Sequence, residues 1–129
     1  MSAAPGRRLL LGLSLGALAL RAAALLATRT IPCLLDEWSY GRLAETLATG
    51  GGYLPVNGHV WPPGYPAFLA APRIAGGTLV AAKATQVVLS TLLVPLVFLL
   101  ARRAARGMGD AAARRTALIA AALVAFDPT

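Results

Sequence analysis

Apolar and polar positions divide the chain into long greasy runs and shorter mixed ones. Leu9 to Thr28 reads LLLGLSLGALALRAAALLAT, with Arg21 as its only charge. Thr78 to Ala101 reads TLVAAKATQVVLSTLLVPLVFLLA, with Lys83 as its only charge. Each run is about 20 residues or slightly more, which at 1.5 Å per residue matches a bilayer core of roughly 30 Å. A third run, Thr116 to Phe126, is too short to span alone and needs the flanking Ala111 to Ala113 or residues beyond the end of the chain. The pattern predicts spans over about 9–28, 78–101 and 111–126, with connecting segments over about 29–77 and 102–115.

The segment between the first two spans has finer structure. Ile31-Pro32 ends the first helical region, because a residue before proline avoids the helical basin. Asp36 to Thr49 reads as a short amphipathic helix, with Leu35, Trp38, Leu43 and Leu47 at roughly helical spacing and Gly50-Gly51-Gly52 as its stop. Trp38 and Tyr40 suit a membrane interface, where a ring is half wet. A turn at Asn57-Gly58 follows, then Trp61-Pro62-Pro63-Gly64-Tyr65-Pro66. A second short helix is expected from about Tyr65 to Ile74, leading through Gly76-Gly77 into the second span. The fold class is therefore all-α and integral to a membrane. Transmembrane helices carry short amphipathic interfacial helices in the first outer loop, and 1–129 forms part of one polytopic domain.

Composition strengthens this picture. The 129 residues are 57% hydrophobic and 13% charged, with a mean hydropathy of +0.68, whereas a soluble domain usually carries about 25% charged residues. A cleaved signal peptide is the alternative for the first run, given Arg7-Arg8, the apolar core and the small residues Ala22 to Ala24. The later apolar runs favour a polytopic protein instead.

Charge sets the orientation. The net charge is +7, from 12 Lys and Arg against 5 Asp and Glu. Arg7 and Arg8 precede the first span, and Arg102, Arg103, Arg106, Arg114 and Arg115 follow the second with only Asp110 among them. Between the spans, Arg29, Arg42 and Arg73 balance Asp36, Glu37 and Glu45. The positive-inside rule makes the N-terminus and the loop over about 102–115 cytoplasmic and puts 29–77 outside. The localisation expected is a multi-pass protein of the plasma membrane. The basic loop lacks aromatic residues, so topology and anionic lipid account for it without nucleic acid.

Candidate chemistry lies in the outer segment. Cys33 has no cysteine to pair with, and His59 is the lone histidine, so neither builds a zinc site. No metal or other cofactor is indicated by the residues. Asp36 and Glu37 admit two readings. As a helix start, Asp36 accepts free amide hydrogens and Glu37 complements the dipole. As a site, a carboxylate beside apolar helices at the outer surface meets a lipid-linked substrate and takes a proton from an acceptor hydroxyl or amine.

The order of motifs adds to this. A first span is followed by Asp-Glu-x-x-Tyr (Asp36, Glu37, Tyr40), Ala-x-x-Leu (Ala44, Leu47) and a glycine cluster. Then come Pro-Pro-x-Tyr-Pro (Pro62, Pro63, Tyr65, Pro66), a Gly-Gly break, a span opening with Lys83 and Gln86, and an Arg-rich loop. This resembles the N-terminal part of the polytopic GT-C glycosyltransferases that use lipid-phosphate sugars, among them the protein O-mannosyltransferases and the aminoarabinose transferases that modify lipid A. The resemblance covers nearly the whole chain from Leu9.

It implies a catalytic Asp at Asp36 with Glu37 as its neighbour, a polyprenyl-phosphate sugar as donor, membrane lipid as the surroundings, and transfer with inversion. It also implies substrate binding by Tyr40 and Tyr65 and, for the lipid phosphate, by His59, Arg73 or Lys83. Aminoarabinose transferases carry a Lys before the Pro-Pro pair where this chain has Trp61, which speaks against lipid A modification and leaves the phosphate to other residues.

Members of that family continue through many more spans. The resemblance therefore implies an N-terminal fragment whose site is completed by the rest of the parent polypeptide and which is inactive alone. The alternative from another class is a small non-enzymatic polytopic protein acting as an assembly or interaction subunit. Asp36 is then a cap and the Pro-Pro run a rigid turn. A transporter piece is weaker, since only Pro95 hints at a broken helix. Arg21, costly in lipid, is expected to face protein or a polar cavity.

Overall fold

The structure is a computed structural model describing residues 4–28, 36–53, 55, 56, 58 and 60–127. The expectations placed on Arg29, Ile31, Pro32, Cys33, Leu35, Asn57 and His59 lie outside the described residues. Among the described residues the chain is helical and contains no strand. The helices are α1 (Ala4–Thr28), α2 (Asp36–Ala48), α3 (Gly64–Ile74), α4 (Leu79–Ala104) and α5 (Asp110–Ala125), with a 3-10 turn at Arg106–Met108. Two helical stretches are long and apolar enough to cross a membrane: Gly6–Thr28, of 23 residues, and Leu79–Ala104, of 26. At 16 residues α5 is about 24 Å long, short of a bilayer core.

The chain forms two compact units, Met1–Ala24 with Val87–Thr129, and Leu25–Gln86. The core of the first unit joins Ala17 of α1, Val94 and Phe98 of α4, and Ala117, Ala121 and Ala125 of α5. With Ala113, the buried alanines of α5 recur every fourth residue, so one face of the helix is a strip of methyl groups. Small side chains let helix backbones approach closely and gain dispersion contacts. Leu9, Leu15, Leu92, Leu99, Ile119 and Leu123 point outward instead.

Arg21 is buried in this same unit. Its guanidinium donates to the carbonyl oxygens of Val124 (2.7 Å), Ala125 (3.4 Å) and Asp127 (3.5 Å). Val124 and Ala125 are in the last turn of α5, whose carbonyls lack helical partners, Asp127 lies just beyond it, and a cation there also complements the helix dipole. The charge expected to need protein around it thus serves as a helix-packing partner.

In the second unit α2 packs on α3. Ala44 of α2, Leu69 and Ala70 of α3 and Ala82 of α4 form the core, with Tyr40, Leu47, Phe68 and Leu79 around it. Both short helices stop in the same way. Gly50 (φ +77°) donates to Leu47 O and Gly51 to Thr46 O, and Gly76 (φ +81°) donates to Arg73 O and Gly77 to Pro72 O. Each pair is a Schellman motif, whose left-handed residue favours glycine.

Two expectations need correction, and a third is met in part. Trp38 shares the spacing of the apolar stripe of α2 but is 44% exposed, a half-wet ring rather than a buried one. The buried residues of α2 are Ser39, Leu43 and Ala44, and the Trp38 ring lies under the Arg42 guanidinium at 5.5 Å. The stretch 102–115 is not a loop. Arginines 102 and 103 extend α4 as good helix formers, and α5 starts just after Gly109 (φ +83°). Pro95 does not break α4, which runs through it.

Candidate functional site

The candidate residues that the structure describes all belong to the unit Leu25–Gln86. Asp36 opens α2, and Tyr40 follows one turn later on the same face. Tyr40 is the hub of an aromatic cluster. The Trp61 and Tyr65 rings both meet it edge-on, with centroids 5.1 Å away and interplanar angles of 67° and 90°. Such edge contacts place the positive rim of one ring against the negative face of another.

The proline-rich run sets this up. Pro62 and Pro63 restrict the backbone before α3, and Pro66 sits buried in its first turn, where its missing N–H removes no helical bond. Tyr65 stacks on Phe68 (6.2 Å) and donates its hydroxyl to Gln86 Oε1 (3.2 Å). Tyr53 donates its hydroxyl to the Trp61 carbonyl. The Pro-Pro segment therefore packs against α2 through Tyr40.

Among the described residues the charged candidates sort into pairs, with Asp36 as the exception. Lys83, in the second turn of α4, forms an ion pair with Glu37. Arg73, in the last turn of α3, forms an ion pair with Glu45 of α2. Asp36 is exposed, and among the described residues its carboxylate enters no hydrogen bond or ion pair. The capping contact of the first of its two readings is not formed among the described residues. As the first residue within α2, it stands one place beyond the position from which a side chain folds back on the first amides.

Asp36, Glu37, Tyr40, Tyr65, Arg73 and Lys83 thus fall in one unit, but not into one cluster. Tyr40 and Tyr65 touch directly, Glu37 holds Lys83, and Arg73 engages Glu45 rather than the aromatic group. Gln86 and Glu45 were not singled out as site residues from the sequence. Gln86 had a signal, standing one turn after Lys83 as a second polar group in an apolar run. Glu45 had none, because its pairing with Arg73 depends on how two helices pack. Among the described residues no three His, Cys, Asp or Glu side chains gather closely enough to hold a metal ion.

The arrangement offers a free carboxylate acceptor, exposed aromatic surface and two cations held by carboxylates. Comparisons with family models, with curated proteins and with solved structures find no match to this chain.

Proposed function

We propose that α1 and α4 cross the plasma membrane with the arginine-rich end in the cytoplasm, and that α2 and α3 lie at the outer face. The arrangement of large and small side chains supports this. Leucines crowd the outward surface of α1 and α4 while the buried contacts are mostly alanine, with Val94 and Phe98, which is unlike a water-soluble core. A cysteine introduced by Gly51→Cys, in a chain whose Cys33 is replaced, should react with an impermeant thiol reagent from outside, and one introduced by Gly109→Cys should not. Reversed labelling would sink the orientation.

At the outer face we propose a glycosyltransferase site. Asp36 takes the proton of an acceptor hydroxyl. The acceptor oxygen bonds to the anomeric carbon of a polyprenyl-phosphate sugar as the bond to phosphate breaks, and the lipid phosphate leaves with the electron pair. One observation carries this reading: all three acids of α2 are exposed, Glu37 and Glu45 are each ion-paired, and among the described residues Asp36 alone is unengaged. An aspartate kept for structure has a partner, whereas one kept for proton transfer needs an open lone pair.

Asp36→Asn tests it on the polypeptide as its gene encodes it. Transfer from a polyprenyl-phosphate sugar in membranes should fall about 10²–10⁴-fold at unchanged protein level. Near-normal transfer would remove Asp36 from the chemistry. A second reading, a non-enzymatic membrane subunit, draws on the ion pairs themselves. Arg73 and Lys83, two of the candidate phosphate ligands, already hold Glu45 and Glu37 between helices. If Asp36→Asn leaves transfer intact while Glu37→Gln and Glu45→Gln lower the yield of folded protein, that reading is preferred.

A further inference from the structure

The arginine-rich end of the first unit contains a cleft of about 530 Å³. Arg7 of α1, Arg102 of α4 and Arg114 of α5 line it, with Asp110, and Leu10 and Phe98 form its apolar wall. Among the described residues none of these three arginines, nor Asp110, enters an ion pair or a side-chain hydrogen bond. A second hollow of about 240 Å³ shares Arg102 and Asp110 and adds Arg103 and Arg106. Three helices thus bring guanidinium groups to one hollow against a single carboxylate, leaving their donors uncommitted.

The placement of Arg114 is specific. A Cβ on Gly6 would lie 2.6 Å from its Nε and 2.8 Å from its Cζ. The guanidinium therefore rests on the bare backbone of the first turns of α1, a position open only because residue 6 is glycine.

From this we infer that the cleft binds a phosphate group, and that the phosphate is the headgroup of an anionic phospholipid. Guanidinium groups match phosphate oxygens in bidentate fashion, and several together supply the charge. The wall of Leu10 and Phe98 accounts for the lipid rather than a free ion, since it offers an apolar surface to the glycerol and the start of an acyl chain. Basic hollows between helices are recurrent headgroup sites. The inference rests on the membrane reading but not on the transferase reading.

The test uses the full chain in vesicles of phosphatidylcholine containing some phosphatidylglycerol, extracted in a mild non-ionic detergent, with retained lipid identified by native mass spectrometry. Phosphatidylglycerol should be retained over phosphatidylcholine. Arg114→Gln should lower its retention about tenfold, the loss expected when a hydrogen bond to a charged group is removed. Arg115→Gln removes the same charge from the adjacent residue, which does not line the cleft, and should lose distinctly less. Gly6→Ala keeps every charge but displaces the Arg114 guanidinium, so it too should lower retention.

Equal losses for the two arginine variants, with Gly6→Ala silent, would overturn the site and leave only diffuse attraction. If inorganic phosphate stabilises the solubilised chain with the same Arg114 dependence while no lipid is preferred, the phosphate site stands and its lipid source falls. Extraction of the vesicles with alkaline carbonate keeps the premise separate. A chain that washes off defeats the membrane reading, and a chain that stays but shows no Arg114 dependence defeats the site.

Discussion

In the unit built from α1, α5 and the later part of α4, alanine methyls make most of the buried contacts, joined by Val94 and Phe98, and many large side chains face away. In the unit built on α2 and α3, the contacts add aromatic edges and ion pairs to a small apolar core. On the membrane reading proposed above, the difference concerns the surroundings each unit is made for. Outward leucines cost nothing against hydrocarbon, where helices associate through close packing of small residues. Exposed carboxylates and a half-wet tryptophan need water or an interface. Arg21 is the exception that sharpens the contrast: the one buried charge among the described residues of the apolar unit is spent on backbone carbonyls, not on another side chain.

Arg21→Met should give the largest loss. It strips the donor from the end carbonyls of α5 and leaves buried acceptors without partners, at about 1–3 kcal/mol for such a group. Because more than one carbonyl is affected, a total of about 3 kcal/mol is expected. Denaturation of the detergent-solubilised chain measures it. An unchanged or raised stability would mean that the desolvation of the guanidinium outweighs its bonds, and the exception would no longer support the contrast.

Ala121→Leu comes next. The residue is fully buried in the methyl face of α5, and a larger side chain forces the helices apart at about 2 kcal/mol. Leu123→Ala, two residues on and outward-facing, should have little effect in lipid. The reverse order of effects would show that the outward leucines, not the alanines, form the working contact, and the inside-out description of this unit would fail.

Gly50→Ala acts on the other unit and on the backbone alone. A Cβ at Gly50 meets nothing within 4 Å, yet its φ of +77° is one that L side chains rarely adopt. About 1 kcal/mol is expected from this strain. Gly51→Ala, at the next residue, is a packing change instead, because its Cβ would lie 2.8 Å from Thr46 Cγ2. If Gly50→Ala proved neutral, the Schellman stop would not be what ends α2.

Much of the helical layout was legible in the sequence because it rests on local signals. Run length located α1 and α4, and Gly50 and Gly76 located the ends of α2 and α3. Misreadings arose where packing decides. Trp38 fell at the right spacing for a buried face, yet it is 44% exposed while Ser39, Leu43 and Ala44 are buried. The stretch after Ala101 looked like a loop because its arginines are polar, although arginine suits a helix well. Of the candidate site, the residues were legible but their partners were not. Nothing in the spacing announces that Lys83 meets Glu37 or that Tyr65 meets Gln86, because those contacts join segments distant along the chain.

Glu45→Gln should have the smallest effect, and its smallness is informative. The pair it forms with Arg73 bridges α2 and α3, so it has the geometry of a brace. Its carboxylate side chain is, however, 57% exposed, and water and salt screen an exposed pair. Holding two long side chains in one arrangement also costs rotamer freedom. A loss below about 0.5 kcal/mol is expected, shrinking further as salt is raised. That result would leave Ala44, Leu69 and Ala70 as what holds the two helices together, with the charges setting their register. A loss near that of Arg21→Met, insensitive to salt, would show the pair to be shielded from water. The α2 and α3 unit would then resemble the apolar unit in its surroundings, and the contrast between the two would have to be redrawn.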